Sequence, residues 1–197
     1  MRPIYDRALH AYDAVFYVDM DVIPVEGVSE NVFDGIKGDL MLAEELDQPI
    51  LRASMAGKIN SENDLGWAST IRQSYGSDVP RTVDGKPKVY NAGAVLLSGN
   101  GLAKLRLELP NILAYQVRMA LRGLPRFYQL DQNYIGAFVS HKSIDFRQLD
   151  SKWNSQITSI STQYGRRKLL DYRTPEICFI HMQHGPQKSQ MTQGHLY

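Results

Sequence analysis

An α/β domain on a largely parallel or mixed sheet flanked by helices is the fold class this sequence predicts, and three observations predict it. Short apolar runs alternate with stretches of helical period along the chain. One run, residues 14–18, is continuously apolar and stops at two carboxylates, as a strand covered on both faces does. With 197 residues, 43% of them hydrophobic, the chain is long enough for one domain with a sizeable core.

Taken in order, Ile4, Ala8, Leu9 and Ala11 approximate a helical stripe over residues 2–12, which Asp13 ends. Residues 14–18 then read as a buried parallel strand. Pro24 and Gly27 break the chain, Ser29 caps a short helix through Phe33, and residues 39–43 form the next strand. Residues 48–87 turn irregular, with Gly57, Gly66, Gly76, Pro80 and Gly85 interrupting any period except a helix at 67–75. This stretch reads as a partly ordered functional flap, variable in character. It carries Arg52, Lys58, Asn60, Trp67 and Arg72 without diagnostic spacing, most of them as surface residues. A strand at 88–97 carries Asn91-Ala92-Gly93. A helix disturbed at Pro110 follows over 101–121, then a helix at 131–139 and strands at 144–149 and 177–182 around the polar stretch 151–173. No internal repeat interrupts the single-domain reading of residues 1–197.

Charge excludes some functions. Lys and Arg number 22 against 21 Asp and Glu, so no overall field holds nucleic acid or an anionic membrane, and an anionic ligand must be bound locally. The single cysteine, Cys178, has no disulfide partner and no zinc-ligand spacing around it. Without a signal-peptide core or a bilayer-length apolar run, the expectation is a soluble, cytoplasmic chain with no integral membrane segment.

The chemistry centres on Asp19-Met20-Asp21. In an extended backbone, side chains at i and i+2 share a face, so both carboxylates approach one point. Two like charges at ~4 Å and an effective dielectric of about 20 repel by roughly 4 kcal/mol, which favours a shared proton or a cation. Magnesium and manganese suit such oxygen ligands and leave positions for substrate phosphate oxygens, so the implied ligand is a metal-bridged diphosphate. The plain alternative is that both acids lead a strand into a polar turn. His181 lies just after the apolar residues 177–180, at a strand end, and alone reads as a hydrogen-bonded structural residue. Trp153 could stack on the face of a ligand or pack beneath the last strand.

The segment Tyr12-Asp13-Ala14-Val15-Phe16-Tyr17-Val18-Asp19-Met20-Asp21-Val22 resembles the metal-binding strand of GT-A-fold glycosyltransferases, especially the family 8 type, the glycogenin- and galactosyltransferase-like retaining enzymes. Four further segments resemble that family in its own order: Tyr90-Asn91-Ala92-Gly93 and the apolar residues after it, Leu130-Asp131-Gln132-Asn133, Trp153-Asn154, and His181 through Gly185-Pro186-Gln187-Lys188. The resemblance implies a GT-A-like (Rossmann-like) mixed sheet and a metal-dependent transfer of a hexosyl group, with retention, from a nucleoside-diphosphate sugar to a carbohydrate or other hydroxyl acceptor. A UDP-sugar is the expected donor and Mn2+ or Mg2+ the expected metal.

The resemblance also implies roles. Asp19, Asp21 and His181 would hold the metal, with His184 a competitor because three residues separate His181 from Gly185 where the family has two. Asn91, Ala92, Gly93, Gln132, Gly185 and Lys188 would contact the donor. Asp131 would accept from the hydroxyls of the transferred sugar, without a covalent role, or simply stabilise its own helix start. Lys188 would swing in on a loop to meet charge on the leaving diphosphate, or remain a solvated surface lysine; Ser189-Gln190 replace the Pro-Trp usual after it. Only about a dozen residues precede the metal-binding strand, where the family places a base-binding half. No Gly-rich phosphate loop compensates. The fold is therefore expected to be N-terminally incomplete: a fragment, a misassigned start, or a chain that needs a partner for that half. Two rival readings remain, a haloacid-dehalogenase-like phosphatase, which Val22-Ile23 fits poorly, and an inactive sugar-binding remnant.

Overall fold

The computed structural model of the chain describes residues 2–46, 48–53, 57–157 and 177–182. Its seven strands and six helices run α1 (Arg2–Tyr5), β1 (Ala14–Val18), β2 (Val22–Pro24), β3 (Leu40–Glu44), α2 (Gln48–Ala53), α3 (Ser61–Tyr75), β4 (Tyr90–Ser98), α4 (Gly99–Glu108), α5 (Ile112–Leu121), α6 (Asp131–Ala137), β5 (Phe146–Gln148), β6 (Ser155–Ile157) and β7 (Phe179–Met182), with short 3-10 turns between. Four strands form a mixed sheet in the order β1-β4-β3-β5, and three form a smaller one in the order β2-β7-β6. The mixed α/β architecture expected from the sequence is the one observed.

The centre of the larger sheet is β4, whose first eight residues are all buried. Its side chains alternate between two cores, as the two-residue period of a strand requires. Val95 and Leu97 point with Leu40 and Leu42 of β3 into the larger core, against Trp67, Ala68 and Ile71 of α3, Leu102 and Leu105 of α4, Tyr115 and Met119 of α5 and Tyr134, Ile135 and Phe138 at α6. Ala94 and Leu96 point the other way with Met41, towards Val32, Leu149, Trp153 and Cys178. Two-sided burial explains why this strand reads as an unbroken apolar run.

Residues 14–18 pair differently from expectation. Among the described residues β1 is an edge strand, antiparallel to β4, and all five of its residues are only half-buried. Continuous apolarity reported contact on both faces, Val15 and Tyr17 with one core and Phe16 and Val18 with the other, but not the direction or number of neighbouring strands. Parallel pairing occurs instead between β3 and β5 and between β6 and β7.

The stretch read as an irregular flap contributes two helices. Asn60, not a residue near 67, starts α3 by accepting from Asn63 N at 2.8 Å, and Gly76 ends it at φ 64°, a left-handed conformation that glycine adopts without a Cβ penalty. Arg52 and Trp67 are core residues: Arg52 Nη1 bonds Asp64 Oδ1 at 2.8 Å and Trp67 Nε1 donates to Tyr115 Oη at 2.9 Å. Lys58 and Arg72 are exposed, as expected. The short helical turn after β2 spans Val32–Gly35 and is capped by Asn31, not by Ser29. The break at Pro110 falls between α4 and α5, as its missing N–H dictates.

Candidate metal centre

Three chain segments meet at the end of β1. Asp19 leaves the strand with its N–H on Gly93 O at 2.8 Å, and Val22 N closes back onto Asp19 O at 3.0 Å, so residues 19–22 form a tight turn. The two carboxylates therefore converge through a turn and not, as the sequence suggested, along one face of an extended strand. Asp21 O accepts from Met182 N at 2.8 Å, and β2 pairs Val22 with His181, which brings the imidazole beside the turn. His181 Nε2 lies 3.5 Å from Asp21 Oδ1.

One ligand atom from each of Asp19, Asp21 and His181 lies within 4.8 Å of the others. Two carboxylate oxygens and one imidazole nitrogen form a donor set that suits a divalent cation. A second observation supports the fit: the imidazole occupies the space a side chain at residue 93 would fill. A Cβ built on Gly93 would lie 2.7 Å from His181 Nδ1 and 2.8 Å from Asn91 Oδ1. The glycine is thus required by the close approach of the imidazole and the Asn91 amide, at a position where the resemblance implied a donor contact.

Around the three residues, Tyr17 Oη donates to Asp19 Oδ1 at 2.8 Å. Burial, that bond to Asp19, and the charges of Asp19 and Asp131 push the phenol up to about 12, so it stays protonated and keeps donating across the physiological range. Asp131, at the start of α6, thereby lies within electrostatic reach of the same place, while its Oδ1 accepts from Gln132 N at 2.9 Å.

Asn91 sits beneath this surface, 1% exposed. Its Nδ2 donates to Glu45 Oε1 at 2.6 Å, and its Oδ1 accepts from Gly93 N at 2.7 Å and Asn154 Nδ2 at 2.9 Å. Gln132 Nε2 reaches the same Glu45 oxygen at 3.2 Å. Ala92 is buried in the larger core. Glu45 is the residue sequence reasoning missed; a pair of acids at the end of an apolar strand, one of which must face inward, is the pattern that marks it. Its neighbour Glu44 takes Lys88 Nζ at 2.9 Å.

Trp153 is buried against Phe16 and Phe179, with ring centroids 6.4 Å and 5.9 Å away, and so fills the second core. His184, Gly185 and Lys188 lie outside the described residues. No described helix is long and apolar enough to cross a membrane.

No family model matches the chain, and no curated protein does. Among solved structures, the chain is similar to the apo form of mouse xyloside xylosyltransferase 1, at 17% identity and a TM-score of 0.49 over 91% of this chain. The match spans 62% of that protein's chain. Among the described residues of the present chain, Asp19, Asp21 and His181 form a group that could hold a metal ion.

Proposed function

We propose that the chain is a metal-dependent glycosyltransferase of the GT-A type, moving a hexosyl group from a UDP-sugar or related nucleoside-diphosphate sugar to a hydroxyl acceptor. The observation that carries this reading is the convergence of Asp19, Asp21 and His181 from opposite ends of the chain. The resemblance of the segments bearing these residues to family 8 enzymes, in order, supports it further. When bound, the cation supplies a Lewis acid for the departing diphosphate.

The chain's own residues divide the remaining work. Asp19, Asp21 and His181 would hold the cation. Tyr17 keeps the Asp19 carboxylate turned through its hydrogen bond. Asp131 and Gln132 offer polar groups at the start of α6 for the hydroxyls of the transferred sugar. Lys188 would neutralise charge on the leaving diphosphate, with Gly185 allowing its backbone to come near.

The test is a manganese titration followed by three parallel assays: sugar transfer, hydrolysis of a UDP-sugar, and hydrolysis of p-nitrophenyl phosphate. Transfer or donor hydrolysis that requires manganese and disappears in Asp21→Asn, with the fold retained, is the expected result. Phosphatase activity alone favours the rival use of the two aspartates, and manganese affinity unchanged in Asp21→Asn removes the metal assignment.

A further inference from the structure

Behind His181 runs a line of buried amides whose polarity can be read in only one direction. It starts at a backbone group. Gly93 N–H can only donate, and it points at Asn91 Oδ1 from 2.7 Å, so that atom must be the oxygen of the amide. The other end of the same amide then carries hydrogens, in agreement with its 2.6 Å approach to the Glu45 carboxylate. The Asn154 atom 2.9 Å from Asn91 Oδ1 must also donate and is Nδ2. Asn154 Oδ1 is left facing His181 Nδ1 at 3.0 Å, and an oxygen there accepts. The imidazole nitrogen at that end must therefore carry the proton.

We infer that Asn91 and Asn154 are positioning residues that hold His181 as the Nδ1–H tautomer, with the Nε2 lone pair turned towards Asp21 and Asp19. The consequence is specific to ligation: a neutral imidazole binds a metal only through its unprotonated nitrogen. A histidine left to choose its tautomer would spend part of its time with a proton where the metal must sit. Burial makes the choice firm. Asn91, Asn154 and His181 are all nine-tenths buried or more, so reversing one amide would leave two donors or two acceptors facing each other away from water. Glu45 strengthens the arrangement by accepting from both Asn91 and Gln132, tying the β4 relay to the first turn of α6. The inference rests on the proposed metal centre for its purpose but not for its geometry.

The experiment uses metal-free protein carrying 15N-labelled histidine, followed over an alkaline pH series so that the tautomer is read on the neutral ring despite the Asp21 carboxylate 3.5 Å from Nε2. Long-range proton–nitrogen correlation reports which ring nitrogen is protonated, and the His181 signals are assigned by their loss in His181→Gln. Wild type is expected to show protonated Nδ1 and bare Nε2. Asn154→Ala, lacking the acceptor, is expected to show a mixture of tautomers and a manganese affinity about 10–100-fold lower, the usual effect of removing a group that orients a ligand. A merely structural asparagine would leave the tautomer unchanged. Wild-type His181 protonated at Nε2 overturns the inference, and so does a folded Asn154→Ala with an unaltered tautomer. If Asn154→Ala does not fold, the wild-type spectrum alone decides. Protein that shows the Nδ1–H form yet binds no manganese keeps the relay and removes the metal reading; protein that binds manganese with Nε2 protonated in the apo state removes the relay only.

Discussion

Replacing Gly93 with alanine is the sharpest perturbation of the centre, because one methyl group meets two immovable neighbours. The new Cβ would stand 2.7 Å from His181 Nδ1 and 2.8 Å from Asn91 Oδ1. Ordinary non-bonded contacts lie at about 3.5–4.0 Å, and His181 Cε1 is nearer to the new Cβ than either of these atoms, so the ring must retreat by more than ~1 Å and the amide by roughly 1 Å. Neither is free to do so: both are buried, and each is bonded to Asn154. Overpacking of this kind costs about 1–3 kcal/mol. For a chain of this length, at about 2–4 °C per kcal/mol, the melting temperature should fall by roughly 2–12 °C. Moving the imidazole should also lower manganese affinity by about 10–100-fold. Thermal unfolding with and without manganese, beside a calorimetric titration, measures both. Gly136→Ala in α6 is the control: nothing lies within 4 Å of its added Cβ, and replacing a mid-helix glycine should leave stability equal or raise it by about 0.5–1 kcal/mol. Gly93→Ala with wild-type melting and wild-type manganese affinity would refute the close-approach argument.

Tyr17→Phe should weaken manganese binding by about 10–100-fold, the usual effect of removing a group that orients a ligand, because Asp19 Oδ1 loses its phenolic donor; an unchanged titration removes Tyr17 from the site. Arg52→Met strands Asp64 in the core, where both side chains of the pair are about 5% exposed or less, and should cost about 3–5 kcal/mol in urea unfolding, with a loss under 1 kcal/mol contradicting the structural role. Asp39 gives a pH test. Burial pushes its carboxyl up, but the Lys104 ammonium at 2.6 Å, the Asp145 N–H and the Asn100 amide outweigh burial and hold it below the ordinary value. A depressed carboxyl contributes stability above the unfolded value of about 3.9 that is lost as pH falls through the lower folded value. The stability gap between wild type and Lys104→Met should therefore be larger at neutral pH than at the acid end of that window; a gap independent of pH would contradict it. Lys188→Ala should reduce turnover more than manganese affinity, and equal losses would remove its role towards the leaving group.

What the sequence made legible, and what it did not, follows the range of the interactions involved. Strands β3, β4, β5 and β7 and helices α4 to α6 announced themselves because local period and Pro110 report local structure. The grouping of Asp19, Asp21 and His181, which could hold a metal ion, was also readable, since the segments that carry them resemble a family in order. The edge position of β1 was not, because a five-residue apolar run carries no record of its neighbours. Trp67 and Arg52 were assigned to a flap because glycines at 57, 66 and 76 mask a period that core contacts override: Asn60 caps α3 through Asn63 N, and Trp67 finds Tyr115 far along the chain. Asn154 and Glu45 escaped for the same reason. The acid pair at the end of β3 marks Glu45 as facing inward, but the hydrogen-bond partners of both residues lie 63 and 46 positions away, and no local pattern names them.

The turn at residues 19–22 is also a seam. Asp19 N is tied to Gly93 O in the larger sheet, and Asp21 O holds Met182 N in the smaller one, so three residues stitch the two sheets together. His181 belongs to the far side of that seam. A ligand gripped by all three side chains must arrest sliding of one sheet against the other, which makes binding and sheet docking a single equilibrium. Amide exchange at the end of β1 and along β7 should then slow together when manganese is added, even for groups the ion never touches.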